Sequence, residues 1–127
     1  MTPRRLLGLG VAALALIGLA GCSGSSSASD GAPFKVSGTA VQTDKVELPK
    51  SYKFVPAVIE VKAGSSVTWT NHDDFPHNVT ILTGADKTTE NLGVGQSATI
   101  PFTKADTVYY ECSLHPQQMH GKIIVTQ

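Results

Sequence analysis

The C-terminal stretch constrains the fold most, because two strand-like runs there flank a short loop. The runs Asp106 to Tyr110 and Lys122 to Thr126 are rich in Val, Ile, Thr and Tyr, residues that favour strands. The loop between them carries a thiol, an imidazole and a thioether within eight positions, at Cys112, His115 and Met119. The two strands must therefore meet around a loop that is crowded with metal-ligating side chains.

The rest of the chain also predicts β-structure. Short apolar or alternating runs recur between turn residues from Phe34 onward, and no helical period is present after residue 22. Strands are predicted near residues 34–42, 45–48, 51–55, 58–62, 66–71, 77–82, 97–103, 107–112 and 121–126. Short strands at this spacing indicate an antiparallel sandwich or barrel. Trp69 shares one face of its strand with Val67, so it is expected in the core.

The N-terminal residues precede the folded domain. Arg4 and Arg5 come before an apolar run of fifteen residues, which is short for a membrane span and typical of a signal-peptide core. The run ends in small residues followed by Cys22, which resembles the bacterial lipobox. This resemblance implies a signal peptide at 1–21, exported by the Sec or the twin-arginine route, and a lipid on Cys22. Residues 22–32 have the Ser/Gly-rich composition of a flexible tether.

Charge and cysteine content narrow the class of protein. Ten basic residues balance ten acidic ones, so the basic footprint of a nucleic-acid binder is absent. Residues 33–127 have the length of one domain. Two cysteines in an exported protein suggest a disulfide, but each has another use here, Cys22 for lipid and Cys112 for metal. We therefore expect no disulfide, and we expect a monomer.

The residues of the C-terminal loop favour one metal. Thiolate and thioether are soft ligands, imidazole suits copper, and one Cys with two His and a weak axial Met is the signature of blue copper. One His is missing from the loop, and His77, about 35 residues upstream and next to Pro76, is the candidate for it. Period two places Cys112 on the face of Val108 and Tyr110, which directs its sulfur inward.

At these residues the sequence resembles the type 1 copper cupredoxins, such as plastocyanin, amicyanin and pseudoazurin. The resemblance spans roughly residues 33–127 and rests on Phe54-Val55-Pro56, Val61-Lys62-Ala63-Gly64, Val67-Thr68-Trp69-Thr70-Asn71, Pro76-His77-Asn78-Val79 and Cys112-x2-His115-x3-Met119-x-Gly121-Lys122. It implies a Greek-key antiparallel β-sandwich of about seven to nine strands. It also implies one type 1 copper per chain, held by His77, Cys112, His115 and Met119. Asn78 then matches the residue that ties the two loops together near the sulfur.

The axial position stays open between two neighbouring residues. Met119 precedes x-Gly-Lys, as the axial Met does in plastocyanin and amicyanin. However, three residues separate it from His115, whereas amicyanin-like loops have two and plastocyanin-like loops have four. His120 is the rival, although it would point to the opposite side in an extended segment. His72 is expected in solvent. Glu111 stands where plastocyanins carry a surface Tyr for partner contact, which argues against a plant-type docking site.

The resemblance implies a one-electron carrier that cycles copper between Cu(I) and Cu(II). His115 would be the electron port, with a rim formed by Phe75, Pro76, Leu114 and Pro116. The expected partners are transient redox proteins (a cytochrome, an oxidase or a reductase) and the membrane, through the N-terminal lipid. The alternative is a copper chaperone or storage protein at the cell surface that transfers no electrons. A structural sandwich with a vestigial site is a third hypothesis.

The sequence gives little support for an enzyme. Cys112 and His115 lie too close on one turn to require a nucleophile–base pair, and no paired acid or orienting group is evident. A binuclear copper centre of the oxidase type needs two Cys in the terminal loop, and Cys112 is the only one there. Zinc would also accept Cys and His ligands in vitro. The predicted location is the bacterial cell envelope, facing the periplasm or the cell exterior.

Overall fold

The computed structural model describes residues 31–84 and 87–127. In these ranges the chain forms nine strands in two sheets and no helix, which confirms the prediction of an all-β sandwich. No helix within the described ranges is long and apolar enough to cross a membrane. The predicted signal peptide, the lipidated Cys22 and most of the tether lie outside the described residues.

The nine strands divide unequally between the sheets. In chain order they are β1 (Val41–Gln42), β2 (Lys45–Leu48), β3 (Val58–Lys62), β4 (Ser65–Asn71), β5 (Thr80–Ile81), β6 (Lys87–Thr88), β7 (Ser97–Phe102), β8 (Asp106–Glu111) and β9 (His120–Thr126). The larger sheet has the order β1-β3-β9-β8-β5-β6, and the smaller has the order β2-β4-β7. The last two strands pair with each other and close the C-terminal loop between them.

Both sheets are mixed, because they contain parallel pairs beside the antiparallel pairs that were predicted. Strand β3 pairs in parallel with both β1 and β9, and β2 pairs in parallel with β4. The remaining pairs are antiparallel. Parallel partners cannot be joined by a tight hairpin, and these partners are indeed joined by longer segments of chain. Local alternation predicts that a segment is a strand but does not set the direction of a distant partner.

Three predicted strands are shorter than expected, and one strand was missed. The 34–42 run is a strand only at Val41–Gln42, and the 51–55 run keeps a single bridge from Val55 to Glu47. A turn fills the start of the latter run, where Tyr52 has a φ of 52°, a left-handed value that non-glycine residues rarely adopt. The two-residue β6 has no apolar pattern to signal it.

The third shortened strand is the one that carries the upstream histidine. The predicted 77–82 strand is regular only at Thr80–Ile81, while His77 forms an isolated bridge with Leu92. Between them the N–H of Asn78 points at the sulfur of Cys112, and the N–H of Val79 donates to the side chain of Thr89. These side-chain bonds replace the strand ladder next to the thiol.

The hydrophobic core fills the space between the sheets and continues into the C-terminal loop. Its largest buried side chains include those of Trp69, Tyr110, Phe54, Leu48, Ile59, Met119 and Ile123. Trp69 is fully buried, as predicted. Cys112 and Met119 belong to the same buried cluster as these residues. The ligand-bearing loop is therefore built directly onto the end of the core.

Candidate metal centre

Three predicted ligands converge at one end of the sandwich. The Nδ1 atoms of His77 and His115 lie 3.2 Å apart, and the sulfur of Cys112 lies 3.8 Å from the first and 3.7 Å from the second. These are the only residues in the described part of the chain that form a group of three or more His, Cys, Asp or Glu side chains able to hold a metal ion. Cys112 and His77 are buried, and His115 is partly exposed. Residues far apart in sequence are thus placed around one point.

Backbone hydrogen bonds shape the loop that carries two of these ligands. The N–H of His115 donates to the carbonyl of Cys112 at 3.0 Å, and the N–H of Met119 donates to the carbonyl of His115 at 3.1 Å. The N–H of Cys112 donates to the carbonyl of Met119 at 3.1 Å and closes the loop. The side chain of Met119 is fully buried. The loop therefore brings the backbone of Met119 next to the backbone of Cys112.

His120 takes a different environment from Met119. Its ring stacks on Phe34, with a centroid distance of 3.9 Å and an angle of 8°, and its Nε2 bonds the carbonyl oxygen of Pro116 at 2.7 Å. It lies outside the group formed by His77, Cys112 and His115. Both ring contacts engage His120 away from that group.

The buried histidine is held by an acidic residue that the sequence analysis missed. Nε2 of His77 lies 2.9 Å from Oδ2 of Asp73, and both side chains are buried. The hydrogen bond from His77, together with backbone N–H groups, holds the pKa of Asp73 below its usual value although burial opposes this. Sequence spacing gave no signal for this pair, because the contact depends on how the loop between Asp73 and His77 curves.

His72 and its neighbour Asp74 point outward. His72 is exposed and pairs with Glu47, while Asp74 pairs with Lys50 at 2.6 Å. Neither residue belongs to the group around Cys112. His72 is therefore exposed to solvent, as predicted.

Two asparagines organise the segment around His77. The side-chain amide of Asn71 donates to the carbonyls of Phe75 and Leu92, at 2.8 Å in each case, and its oxygen accepts from the N–H of Asp73. Asn78 bonds both the N–H and the hydroxyl of Ser113, and its own N–H points to the sulfur of Cys112 at 3.4 Å. The upstream segment is therefore fastened both to itself and to the C-terminal loop.

The other histidine lies at the surface beneath an aromatic ring. Tyr52 contacts His115 edge to face, with a centroid distance of 4.7 Å. Burial of the ring lowers the pKa of His115. Phe75 and Leu114 are 54% and 42% exposed, and Pro76 and Pro116 are exposed as well. Of these exposed apolar residues, Phe75 also stacks on Tyr52.

The donor set fits copper. One thiol and two imidazole nitrogens are arranged around a single point, and a buried thioether lies on the same short loop. Soft sulfur with two imidazoles is the ligand combination of blue copper sites, in which the fourth ligand is weak. Together with the β-sandwich, these residues define a copper-binding protein of the cupredoxin type.

Comparison with known proteins identifies the family. Residues 40–126 match the family of copper binding proteins described as the plastocyanin/azurin family. The chain belongs to this family. Amicyanin-alpha of Methylorubrum extorquens is 39% identical over 77 residues, which cover 58% of this chain and 64% of that protein. The chain therefore spans just under two thirds of the length of that relative.

Solved structures show the same fold. A purple cupredoxin from Nitrosopumilus maritimus is similar with a TM-score of 0.60 and 26% identity, over 65% of this chain and 98% of that one. A Cu-containing nitrite reductase from Thermus scotoductus is similar with a TM-score of 0.61 and 28% identity, over 76% of this chain and 26% of that one. The fold thus also occurs as part of a much larger copper enzyme.

Proposed function

We propose that this protein is a one-electron carrier that holds one copper ion through His77, Cys112 and His115, with Met119 as a weak axial ligand. The observation that carries the proposal is the convergence of the three ligand atoms, which all lie within 4.8 Å of one another at the end of the core. When bound, copper supplies a single-electron step between its Cu(I) and Cu(II) states. We propose no enzymatic reaction, because the described residues around the site include no nucleophile–base pair apart from the ligands themselves.

The chain would keep the ligand geometry nearly constant during electron transfer. Cys112 follows β8, and β9 begins directly after Met119, so both ends of the loop are fixed by paired strands. The N–H of Asn78 points at the sulfur, a type of contact that orients a ligand and adjusts its basicity. Burial of Cys112, His77 and Met119 keeps water away from them. A site of this kind does not rearrange when the charge changes by one unit.

Electrons would pass through the ring of His115. Among the four proposed ligands it alone is not fully buried. Tyr52 contacts its ring and stacks on the exposed Phe75, and we propose that these rings form an apolar rim with Leu114, Pro76 and Pro116. Electron-transfer encounters bury small areas, so a rim of this size suits a transient redox partner such as a cytochrome, oxidase or reductase. We propose that the protein acts as a monomer.

The N-terminal sequence supports a proposed location at the cell envelope. Removal of residues 1–21 and attachment of lipid to Cys22 would leave the domain on the tether 22–32. For a random coil of that length, the root-mean-square reach is about 20 Å. The domain would then stay near the membrane, on the periplasmic or the outer face.

Copper titration of the metal-free protein tests the ligand set. The wild type is expected to develop an intense blue band with narrow copper hyperfine splitting at one equivalent of Cu(II). Cys112→Ser should lose both the colour and electron transfer, because the thiolate is removed. Cys22→Ser is the matched control, since it removes the other cysteine: it should stay blue but lose its membrane attachment.

Other outcomes would overturn the proposal in distinguishable ways. Unchanged reduction kinetics in Cys112→Ser would refute the electron-transfer mechanism. A green or red copper form would indicate that His120 replaces Met119 as the axial ligand, or that the axial bond is strained. Fast copper exchange with slow electron self-exchange would replace the carrier by a copper chaperone or storage protein.

A further inference from the structure

We propose that Asp73 is a positioning residue that fixes His77 for metal binding and favours the more highly charged oxidation state of the metal. This inference rests on the proposed function, because it requires His77 to be a copper ligand. It concerns a carboxylate that approaches the ligand ring from the side opposite to the other ligands. No feature of the ligand loop itself supplies such a group.

The carboxylate of Asp73 is fixed on both of its oxygens. Oδ2 lies 2.9 Å from Nε2 of His77, and Oδ1 accepts the N–H of Asp74 at 2.7 Å. The N–H of Asp73 itself donates to Oδ1 of Asn71 at 2.8 Å. The side chains of Asp73 and His77 are 4% and 0% exposed. The carboxylate can therefore leave the ring only if this part of the loop unfolds.

This contact determines which nitrogen of His77 is free to bind a metal. A carboxylate accepts hydrogen bonds, so Nε2 must carry the proton when it bonds Asp73. Nδ1 then keeps its lone pair, and it is the atom that lies 3.8 Å from the sulfur of Cys112 and 3.2 Å from Nδ1 of His115. The ring is thus held in the binding tautomer before any metal arrives. Such partners behind a ligating histidine also raise its basicity.

The charge of Asp73 has a second consequence. Once Cys112 bound copper as a thiolate, its charge and that of Asp73 would lie within one buried region, where electrostatic interactions are stronger than in water. Nearby Lys50 is exposed and forms its salt bridge with Asp74 at the surface. Two buried anions stabilise Cu(II) more than Cu(I). We therefore expect Asp73 to lower the reduction potential of the site.

Asp73→Asn separates the charge from the shape of this residue. The single oxygen of the variant can still accept from Nε2 of His77, while its NH2 group replaces the oxygen that accepts the N–H of Asp74, so the blue spectrum should persist. Cu(II) affinity is expected to fall 10–100-fold, the usual effect of losing a group behind a ligand, and Cu(I) affinity should fall less. A tenfold difference between the two losses corresponds to an increase of about 59 mV in the one-electron potential.

Asp74→Asn is the matched control. It removes a carboxylate one residue away, but that carboxylate is exposed and paired with Lys50. Its potential should equal that of the wild type. An equal potential in Asp73→Asn and wild type, or an equal increase in Asp74→Asn, would overturn the proposed effect of the buried charge. A purely structural role for Asp73 would lower stability in Asp73→Asn without raising the potential.

A nitrogen-15 NMR spectrum of the metal-free wild type tests the tautomer without copper. His77 should be protonated at Nε2 and unprotonated at Nδ1, and Asp73→Ala should lose this preference. A wild-type ring protonated at Nδ1 would overturn the positioning role. If the wild type gave the expected tautomer but no blue copper complex, the proposed function would fail while the role of Asp73 in fixing the ring would stand.

Discussion

The two segments that supply the proposed ligands are held in opposite ways. The upstream loop, residues 71–78, depends on side chains: Asn71, Asp73 and Asn78 all bond to the backbone or to neighbouring side chains. The ligand loop, residues 112–119, depends on backbone bonds among Cys112, His115 and Met119. Most of its other side chains are exposed. The conformation of the upstream loop therefore depends on the identity of its residues, whereas that of the ligand loop depends mainly on backbone hydrogen bonds.

The two loops therefore contribute differently: the upstream loop supports the buried side of the site, and the ligand loop gives access to it from solvent. The upstream loop buries His77 and surrounds it with polar groups that have fixed partners. The ligand loop exposes His115, and apart from Ser113, whose hydroxyl bonds Asn78, its exposed residues such as Gln117 and Gln118 can vary without loss of backbone bonds. Substitutions should therefore be costly in the upstream loop and tolerated at exposed positions of the ligand loop.

The largest effect on stability is expected just beyond the ligand loop, at Gly121, because the backbone there packs directly against a side chain of the core. A Cβ at this position would lie 2.6 Å from Cε1 of Tyr110 and closer still to Cζ. Tyr110 is fully buried, so its ring cannot move away without disturbing the core. Gly121→Ala should lower the free energy of unfolding by about 3 kcal/mol, the upper end of the usual range for overpacking. Denaturant unfolding of the metal-free protein measures it.

Gly93→Ala is the control for this substitution. A Cβ at Gly93 would meet only the side chain of Gln96, with Oε1 at 3.4 Å and Cδ at 3.8 Å. Its unfolding free energy should therefore change by less than about 0.5 kcal/mol. If Gly121→Ala were equally mild, the strand after the ligand loop would have room to shift, and the contrast between the two loops would weaken.

The next effect is expected in the upstream loop, at Asn71. Asn71→Ala removes the donor to two carbonyls, those of Phe75 and Leu92, and the acceptor for Asp73. Because a hydrogen bond contributes about 0.5–1.5 kcal/mol net to stability, loss of these three bonds should lower the free energy of unfolding by about 2 kcal/mol. Asn91→Ala is the control: Asn91 is exposed and makes one 3.2 Å bond to Asn78. Equal losses in the two variants would refute the special role of Asn71.

The smallest effect is expected in the ligand loop, at Gln117 and Gln118. Both side chains are exposed, and the bond from the N–H of Gln118 to His115 involves only the backbone. The double variant Gln117→Ala, Gln118→Ala should change the unfolding free energy by less than about 0.5 kcal/mol. Its copper spectrum should match that of the wild type. A loss above about 1 kcal/mol would show that these side chains, and not the path alone, shape the loop.

The comparison also explains what the sequence could predict. Cys112, His115 and Met119 lie close together on one loop, so their spacing alone suggested a shared site. His77 was the candidate for the missing imidazole because the loop lacks a second His, and the resemblance of its Pro-His-Asn-Val segment to a known family supported that choice. Asp73 was missed because its role depends on the curvature of the loop, which sequence spacing does not encode. Tyr52 was missed because its run was interpreted as a strand, whereas a left-handed turn brings its ring against His115.

The fold, like the site, was predictable where the signal is local in sequence. Alternation located most strands and placed Trp69 in the core, because those signals are local. Alternation could not reveal that β3 runs parallel to β9, since direction depends on the path of the chain between them. It also failed at Asn78 and Val79, where bonds from the backbone N–H groups to side chains replace a regular ladder.

The partial exposure of His115 has a kinetic consequence for the proposed carrier. With a single ligand edge near solvent and one small apolar rim around it, a donor and an acceptor would occupy the same patch. They could not bind together, so the protein would have to release the first before meeting the second. It would then bind its donor and its acceptor alternately. An excess of either partner would slow electron transfer with the other by occupying their shared binding surface.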